Sequence, residues 1–299
     1  MISAASVKAR LKNLAVQEGK SMQEKLVNYG LERTICRIAN SRFSDRFTLK
    51  GGIFMYALFD GEYSRATIDI DLLAQRIAND VGTIRSVFEE IFRIEVDDAI
   101  EFDLESLEVA NIAEFKEYQG VNVSIVGYLE RTRVPVSIDI GFGDVVYPNR
   151  TKIRFPSLLE MDEIEVYAYS IYSSIAEKFE TFVSRGLTNS RYKDYFDIYE
   201  YARLFNMEGN ILKEAIEETF RNRGTTFEDI VVFEAEYMSD TVNQRRWAAF
   251  VKKKKATAGL TFSEVMDVVV KILRPVTDAI LDKQEFNYNW KCDELTWKK

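Results

Sequence analysis

The chain of 299 residues contains no histidine and only two cysteines, Cys36 and Cys292. The first absence removes histidine general bases, Ser–His and Cys–His nucleophilic pairs, and histidine-ligated zinc. The second argues against a disulfide framework and points to a reducing compartment. No uninterrupted apolar run approaches the length of a membrane span. The opening stretch, MISAASVKARLKNLAVQEG, has no long apolar core of the kind a secretory leader uses. The expectation is a cytoplasmic protein with no membrane partner. Internal repeats, low-complexity tracts and flexible linkers are missing too. Any catalysis must run on Asp, Glu, Lys, Arg, Tyr or Ser, and any metal is expected to be a hard ion held by oxygen.

What is present is ample core material: 46% hydrophobic residues and 13% aromatics, with 20 Phe and 15 Tyr. That excludes global disorder. The formal charge of −8 favours solubility and speaks against a nonspecific nucleic-acid coat protein, although a local basic groove can coexist with a negative total. The length suits one large or two medium domains.

Periodicity divides the chain. The first forty residues read as helix, with Ser21 and Glu24 as a capping-box candidate. Phe47–Lys50 reads as a short strand, Gly51-Gly52 as a turn and Ile53–Phe59 as a helix. A loop over Gly61–Thr67 then leads to a strand carrying Asp69 and Asp71. Asn79-Asp80 can cap a helix reaching Phe92, the acidic region from Val96 to Tyr118 suggests an edge strand, and Val121–Leu129 and Val134–Gly141 are clear strands. Beyond Pro148 and Pro156 the spacing of Ile164, Tyr167, Ala168, Ile171, Ile175, Phe179 and Phe182 predicts one long amphipathic helix, with mostly helix afterwards. The tail from Phe286 is aromatic and charged without a period. The expected fold is α+β: a mixed-sheet domain over residues 1–155 and a helical domain over 156–299.

The candidate site is centred on Phe47–Leu73. Ile68, Ile70 and Leu72 alternate with Asp69 and Asp71, so both carboxylates leave one strand face while the other packs. Asp139 alternates in the same way in VPVSIDIGF and supplies a third carboxylate. Three convergent carboxylates can hold two Mg²⁺ about 3.5 to 4 Å apart, one on a triphosphate and one activating a hydroxyl. The same acids would also suit a plain solvated strand face. Lys50-Gly51-Gly52 is a poor P-loop, but its amides before a helix can hold phosphate, and a simple tight turn fits the glycines equally. Arg65 can steady a triphosphate or face solvent. Lys178 and Arg185, seven residues apart, can present from a similar helix face, and Lys193, Asp194 and Asp197 open the next helix. An ordinary solvated helix pair fits them as well. Arg245-Arg246-Trp247 and Lys252–Lys255 form the one dense basic cluster, suited to gripping a phosphate backbone and stacking on a base, or to a charged helix surface.

Three ordered stretches carry a resemblance. YGLERTICRIANSRFSDRFTLKGG (residues 29–52) resembles the opening signature of the AbiEii/AbiGii-type nucleotidyltransferase toxins. RATIDIDL (65–72) resembles their acid motif, and IAEKFETFVSRGLTNSRYKDYFDIYEYA (175–202) their lysine-bearing helix and KD-x-x-D segment. The resemblance implies a DNA polymerase beta-like nucleotidyltransferase core followed by a helical lobe. It assigns Gly51 and Gly52 to the nucleotide-binding turn and Asp69 and Asp71 to the metal pair. Lys178 and Asp194 take the later catalytic positions, with Lys178 on the triphosphate, and Lys50, Arg65 and Arg185 are counted with the nucleotide. Asp139 as third acid comes from the strand pattern. The implied reaction is Mg²⁺-dependent transfer of NMP from an NTP to an acceptor hydroxyl, expected on RNA such as the tRNA 3′ end. Family members are toxins of type IV toxin–antitoxin or abortive-infection systems of antiviral defence, which implies a cognate antitoxin encoded nearby. The alternatives are AMPylation-like transfer to a protein, transfer to a small molecule, and a non-catalytic module binding RNA or protein.

Overall fold

A computed structural model describes residues 2–62, 67–112, 120–228, 230–252 and 259–299. It forms two compact units. The first comprises Met1–Asp144 and Arg150–Tyr169, the second Val145–Asn149 and Ser170–Lys299.

The first unit is built on a seven-stranded mixed sheet in the order β3-β4-β5-β2-β1-β7-β6. Its strands are β1 (Phe47–Lys50), β2 (Ile70–Ala74), β3 (Glu101–Ile112), β4 (Gly120–Leu129), β5 (Thr132–Phe142), β6 (Thr151–Phe155) and β7 (Ile164–Ala168). Two neighbour pairs are parallel, β2 with β5 and β1 with β7, and the others antiparallel. The helices are α1 (Ala4–Glu18), α2 (Met22–Asn40), α3 (Gly51–Leu58) and α4 (Val81–Phe92). The expected edge strand, the β4–β5 pair and the Asp80-capped α4 are all present.

Helix α2 lies against β5 and β7, and its sequence shows why it carries a mid-helix glycine. A Cβ at Gly30 would stand 2.6 Å from Val134 Cγ1, so the helix approaches the sheet more closely than any other residue allows. The helix also buries charge. Glu32 pairs with Arg33 at 2.6 Å and accepts from the Leu158 backbone N–H at 2.7 Å, while Arg33 reaches Asp162 at 2.6 Å. Arg37 makes a two-pronged contact with fully buried Asp98. Burial pushes the Glu32 carboxyl above its ordinary range despite the guanidinium of Arg33. The Glu32-Arg33 dipeptide of the opening signature therefore ties α2 to the β6–β7 connection.

In three places the structure departs from the periodicity. The amphipathic helix expected from Ile164 begins only at Ile171, capped by Ser170, because residues 164–168 are β7. Ile164, Val166 and Ala168 are its buried positions, a period-two set that the three- and four-residue spacing overlooked. The unit boundary consequently lies at Tyr169/Ser170 and not near residue 155: β6 and β7 complete the first unit's sheet. Third, β2 begins at Ile70, and Ile68, expected on its packing face, is exposed.

The second unit is mainly helical: α5 (Ile171–Arg185), α6 (Tyr192–Leu204), α7 (Gly209–Arg223), α8 (Ala235–Ser239), α9 (Thr241–Lys252) and α10 (Phe262–Leu281). Val145–Asn149 belongs with it because Tyr147 donates its backbone N–H to Ser173 Oγ at 2.7 Å and its hydroxyl to Glu214. The aperiodic tail forms strands β9 (Asn289–Lys291) and β10 (Thr296–Lys298), paired beside β8 (Met207–Glu208). Two tryptophans hold it: the Trp290 indole donates to Ala202 O at 2.6 Å and Trp297 to Ile272 O at 3.2 Å. Among the described residues no helix is long and apolar enough to cross a membrane.

Replacing Asp98 with Ala leaves Arg37 buried without its charge partner. The expected cost is about 3–5 kcal/mol of unfolding free energy. Urea unfolding of Asp98→Ala reads it directly; a loss below about 1 kcal/mol, the worth of an exposed pair, would contradict a buried ion pair.

Candidate active site

The register of the central strands assembles the site. Lys50 on β1 stands opposite Asp71 on β2, Asp71 opposite Asp139 on β5, and Asp139 opposite Asn122 on β4. Directly opposed residues project to the same side of a sheet, on strands about 4.8 Å apart. The four side chains thus form one row across four neighbouring strands. Period two sends Ile70, Leu72, Ile138 and Ile140 to the other face, where each is at most 1% exposed. The hydrophobic face therefore fixes which side the carboxylates occupy.

At one end of the row the chain turns through Gly51 into α3 with φ of +62°, a left-handed conformation that costs a side-chain-bearing residue energy. A Cβ there would also stand 2.0 Å from Asp71 Oδ2. Glycine is thus required twice, by conformation and by the close approach of a carboxylate. The Gly52 N–H donates to Asp71 Oδ2 at 3.3 Å, so the acid lies at the positive N-terminal end of α3. Beside it, Lys50 Nζ is 2.7 Å from Asp144 Oδ2 and 5.4 Å from the ring centre of Tyr169. At the other end Asn122 Nδ2 donates to Asp139 Oδ1 at 2.7 Å and to Ser137 Oγ at 3.0 Å.

Asp71 and Asp139 are thus brought together. Asp69 precedes β2 at a bend, outside the paired register. Arg65 lies outside the described residues. Among those residues no three Asp, Glu or Cys side chains converge closely enough to hold a metal as they stand. The donor chemistry nonetheless fits Mg²⁺, which is commonly held by one or two carboxylates together with substrate phosphates. Asp71 and Asp139, adjacent in register, are the two carboxylates that would supply the protein's share of such a shell.

The second unit holds an ion cluster of its own residues. Lys178 on α5 is 2.8 Å from Asp197 Oδ2 and 3.4 Å from Asp194 Oδ1, and Arg191 Nε is 2.5 Å from Asp194 Oδ2. Lys178, Asp194 and Asp197 are all buried. Burial would raise the Asp194 carboxyl, but Lys178 and Arg191 outweigh it and hold the group below the ordinary aspartate value. Arg185 closes α5 and is exposed, so it does not share Lys178's surroundings.

The basic cluster behaves differently from the stacking surface its composition suggests. Trp247 is 2% exposed and donates its indole N–H to Leu260 O at 2.7 Å, which fastens α9 and removes the ring as a stacking platform. Arg245, Arg246 and Lys252 remain exposed on α9, and Lys253–Lys255 lie outside the described residues.

Two members of the first unit's polar set escaped the sequence reading. Asn122 left a trace, an amide interrupting the apolar alternation of Val121, Val123 and Ile125. Asp144 left none, since its partner Lys50 is distant in the chain and only folding joins them.

Gly51→Ala is expected to cost about 1–2 kcal/mol from the left-handed backbone alone, with further loss from displacing Asp71, read as a lower urea midpoint. Asp194 yields a pH signature. A carboxyl whose native pKa is depressed binds fewer protons folded than unfolded. Its stabilising contribution is therefore complete above the ordinary value of 3.8 and is lost as pH falls through the lower native value. Unfolding free energies measured from about pH 7 down to about pH 3 should fall at the acid end, with a shallower fall in Asp194→Asn. Parallel limbs in the two proteins would remove Asp194 as a source.

Comparison with known proteins follows this geometry. A crystal structure of JHP933 from Helicobacter pylori is similar over 87% of this chain and 94% of its own, with 13% identity and a TM-score of 0.46. The crystal structure of an antigenic nucleotidyltransferase-like protein from Paracoccidioides brasiliensis is similar over 79% of this chain and 91% of its own, with 12% identity and a TM-score of 0.35. No curated protein matches the sequence. The family model described as "Nucleotidyl transferase AbiEii toxin, Type IV TA system" matches residues 33–268. Covering Asp69, Asp71, Asp139, Lys178 and Asp194 alike, that match establishes that the chain belongs to the AbiEii family of nucleotidyltransferase toxins.

Proposed function

We propose that the chain transfers NMP from an NTP to a hydroxyl of an RNA acceptor, such as a tRNA 3′ end, in a Mg²⁺-dependent reaction. The observation that carries this reading is the side-by-side register of Asp71 and Asp139 next to Gly51. Asp71 and Asp139, with Asp69 two residues upstream of Asp71, would hold the metal. Bound there, Mg²⁺ would neutralise phosphate charge and lower the pKa of the acceptor hydroxyl.

In the transfer step the acceptor oxygen bonds to the α-phosphorus as the bond to the α–β bridging oxygen breaks, and pyrophosphate leaves. The hydroxyl proton passes to Asp139 Oδ2; Oδ1 is held by Asn122. The N-terminal end of α3, entered through Gly51-Gly52, favours the polyphosphate electrostatically. Lys50 would reach the same phosphates from the end of the row, with Arg65 nearby in sequence. Lys178 and Asp194 are included on the family match, and Arg185 on its sequence position. Exposed Arg245, Arg246 and Lys252 on α9 support a polyanionic acceptor over a small molecule. Membership of a type IV toxin–antitoxin family implies an antitoxin partner.

The test is incubation with each α-labelled NTP and Mg²⁺ in the presence of total RNA, protein extract or neither, followed by separation of the labelled products. Label is expected in RNA. Asp71→Asn and Asp139→Asn should each lower incorporation by about 100-fold or more, the scale of losing one preorganised transition-state contact. Label appearing only in protein, or unchanged incorporation by both variants, would sink the reading.

A further inference from the structure

We propose that Asn122 is a positioning residue for the transfer reaction: it locks the Asp139 carboxylate in one orientation and presents its second oxygen to the metal and the acceptor hydroxyl. This rests on the nucleotidyltransferase reading of the Asp71–Asp139 pair.

The geometry is specific. Asn122 is the direct register partner of Asp139 on β4. An ionised carboxylate only accepts hydrogen bonds, so the nitrogen end of the amide must face it. That nitrogen carries two hydrogens, and its near partners are Asp139 Oδ1 at 2.7 Å and Ser137 Oγ at 3.0 Å, with the Ile138 carbonyl oxygen farther off at 3.5 Å. Ser137 and Asp139 lie two residues apart on one face of β5, so a single amide bridges both and cannot rotate without losing one. Among the described residues this is the one side-chain hydrogen bond that Asp139 receives. Without it the carboxylate would be free to turn about its side-chain bonds while remaining on the same strand.

A purely structural explanation fits less well. Asn122 lies between Val121 and Val123, both fully buried, in a strand where asparagine is a poor former. Threonine would satisfy the strand better but offers one donor hydrogen where the amide offers two, so it cannot hold both Ser137 and Asp139. The amide is the group that reaches both acceptors on β5. Partners that orient a ligating or proton-accepting group from behind are worth about 10–100-fold in metal affinity or activity.

The test compares the parent chain with Asn122→Leu, Asn122→Thr and Asn122→His. Leucine keeps the bulk and removes the donor, threonine suits the strand, and histidine restores a ring N–H near the amide nitrogen's place. Thermal unfolding first identifies the variants that are folded. Two readouts follow: Mn²⁺ affinity measured without nucleotide, and kcat and KM for NMP transfer. The leucine and threonine variants are expected to lose about 10–100-fold in kcat and in Mn²⁺ affinity, while KM for the NTP changes by less than about threefold. The histidine variant should recover part of both. Folded leucine and threonine variants with parental kcat and Mn²⁺ affinity would overturn the proposal, as would a histidine variant no better than leucine. If the parent binds Mn²⁺ and the leucine variant binds it weakly, but no NTP is turned over, the positioning role stands and the transferase reading fails. A parent that binds no Mn²⁺ would overturn the positioning role itself.

Discussion

The molecule's candidate chemistry depends on one constraint, the parallel register of β2 and β5. Pairing Ile70 with Ile138 and Leu72 with Ile140 buries four aliphatic side chains on one face. The same pairing obliges Asp71 and Asp139 to stand next to each other on the opposite face. A slip of β2 by one residue would turn Asp71 into the core and carry Ile70 and Leu72 to the opposite face, while Asp139 kept its place on β5. Apolar burial thus sets the separation of two like charges that would otherwise drift apart.

Close backbone approach then equips this row. Gly51 lets the chain turn into α3 directly against the Asp71 carboxylate, and Gly30 lets α2 settle on β5 over Val134. Both positions exclude any larger side chain, but they serve different ends. Gly30 brings a supporting helix against the strand that carries Asp139. Gly51 lets the start of α3 stand against Asp71, whose carboxylate accepts from the Gly52 N–H there.

Buried charge is the other recurring device. In the first unit Arg33 and Arg37 are drawn inside α2 and answered by Glu32, Asp162 and Asp98. In the second, Lys178 is answered by Asp194 and Asp197 across α5 and α6. Such clusters add little net stability over an apolar core, because desolvation offsets attraction, but they penalise misalignment of the elements they join. That explains why signature residues such as Glu32 and Arg33 lie away from the acid row.

The sequence by itself determined the element types around the site, the shared face of Ser137 and Asp139, and the placing of Asp71 on the strand face opposite Ile70 and Leu72. These follow from local period and turn chemistry, which act within a few residues. It misread residues 164–168, whose spacing satisfied helix and strand alike until β1 and β6 supplied partners. The tail after Phe286 had no period because its order comes from tryptophans reaching Ala202 and Ile272. Trp247 looked available for stacking until Leu260 engaged it. Only the tertiary structure decided which strands are neighbours. The row Asn122–Asp139–Asp71–Lys50, the Lys50–Asp144 pair and the burial of Lys178 depend on it. Hydrogen-bond register across strands links residues far apart in the chain, and no local pattern carries that information.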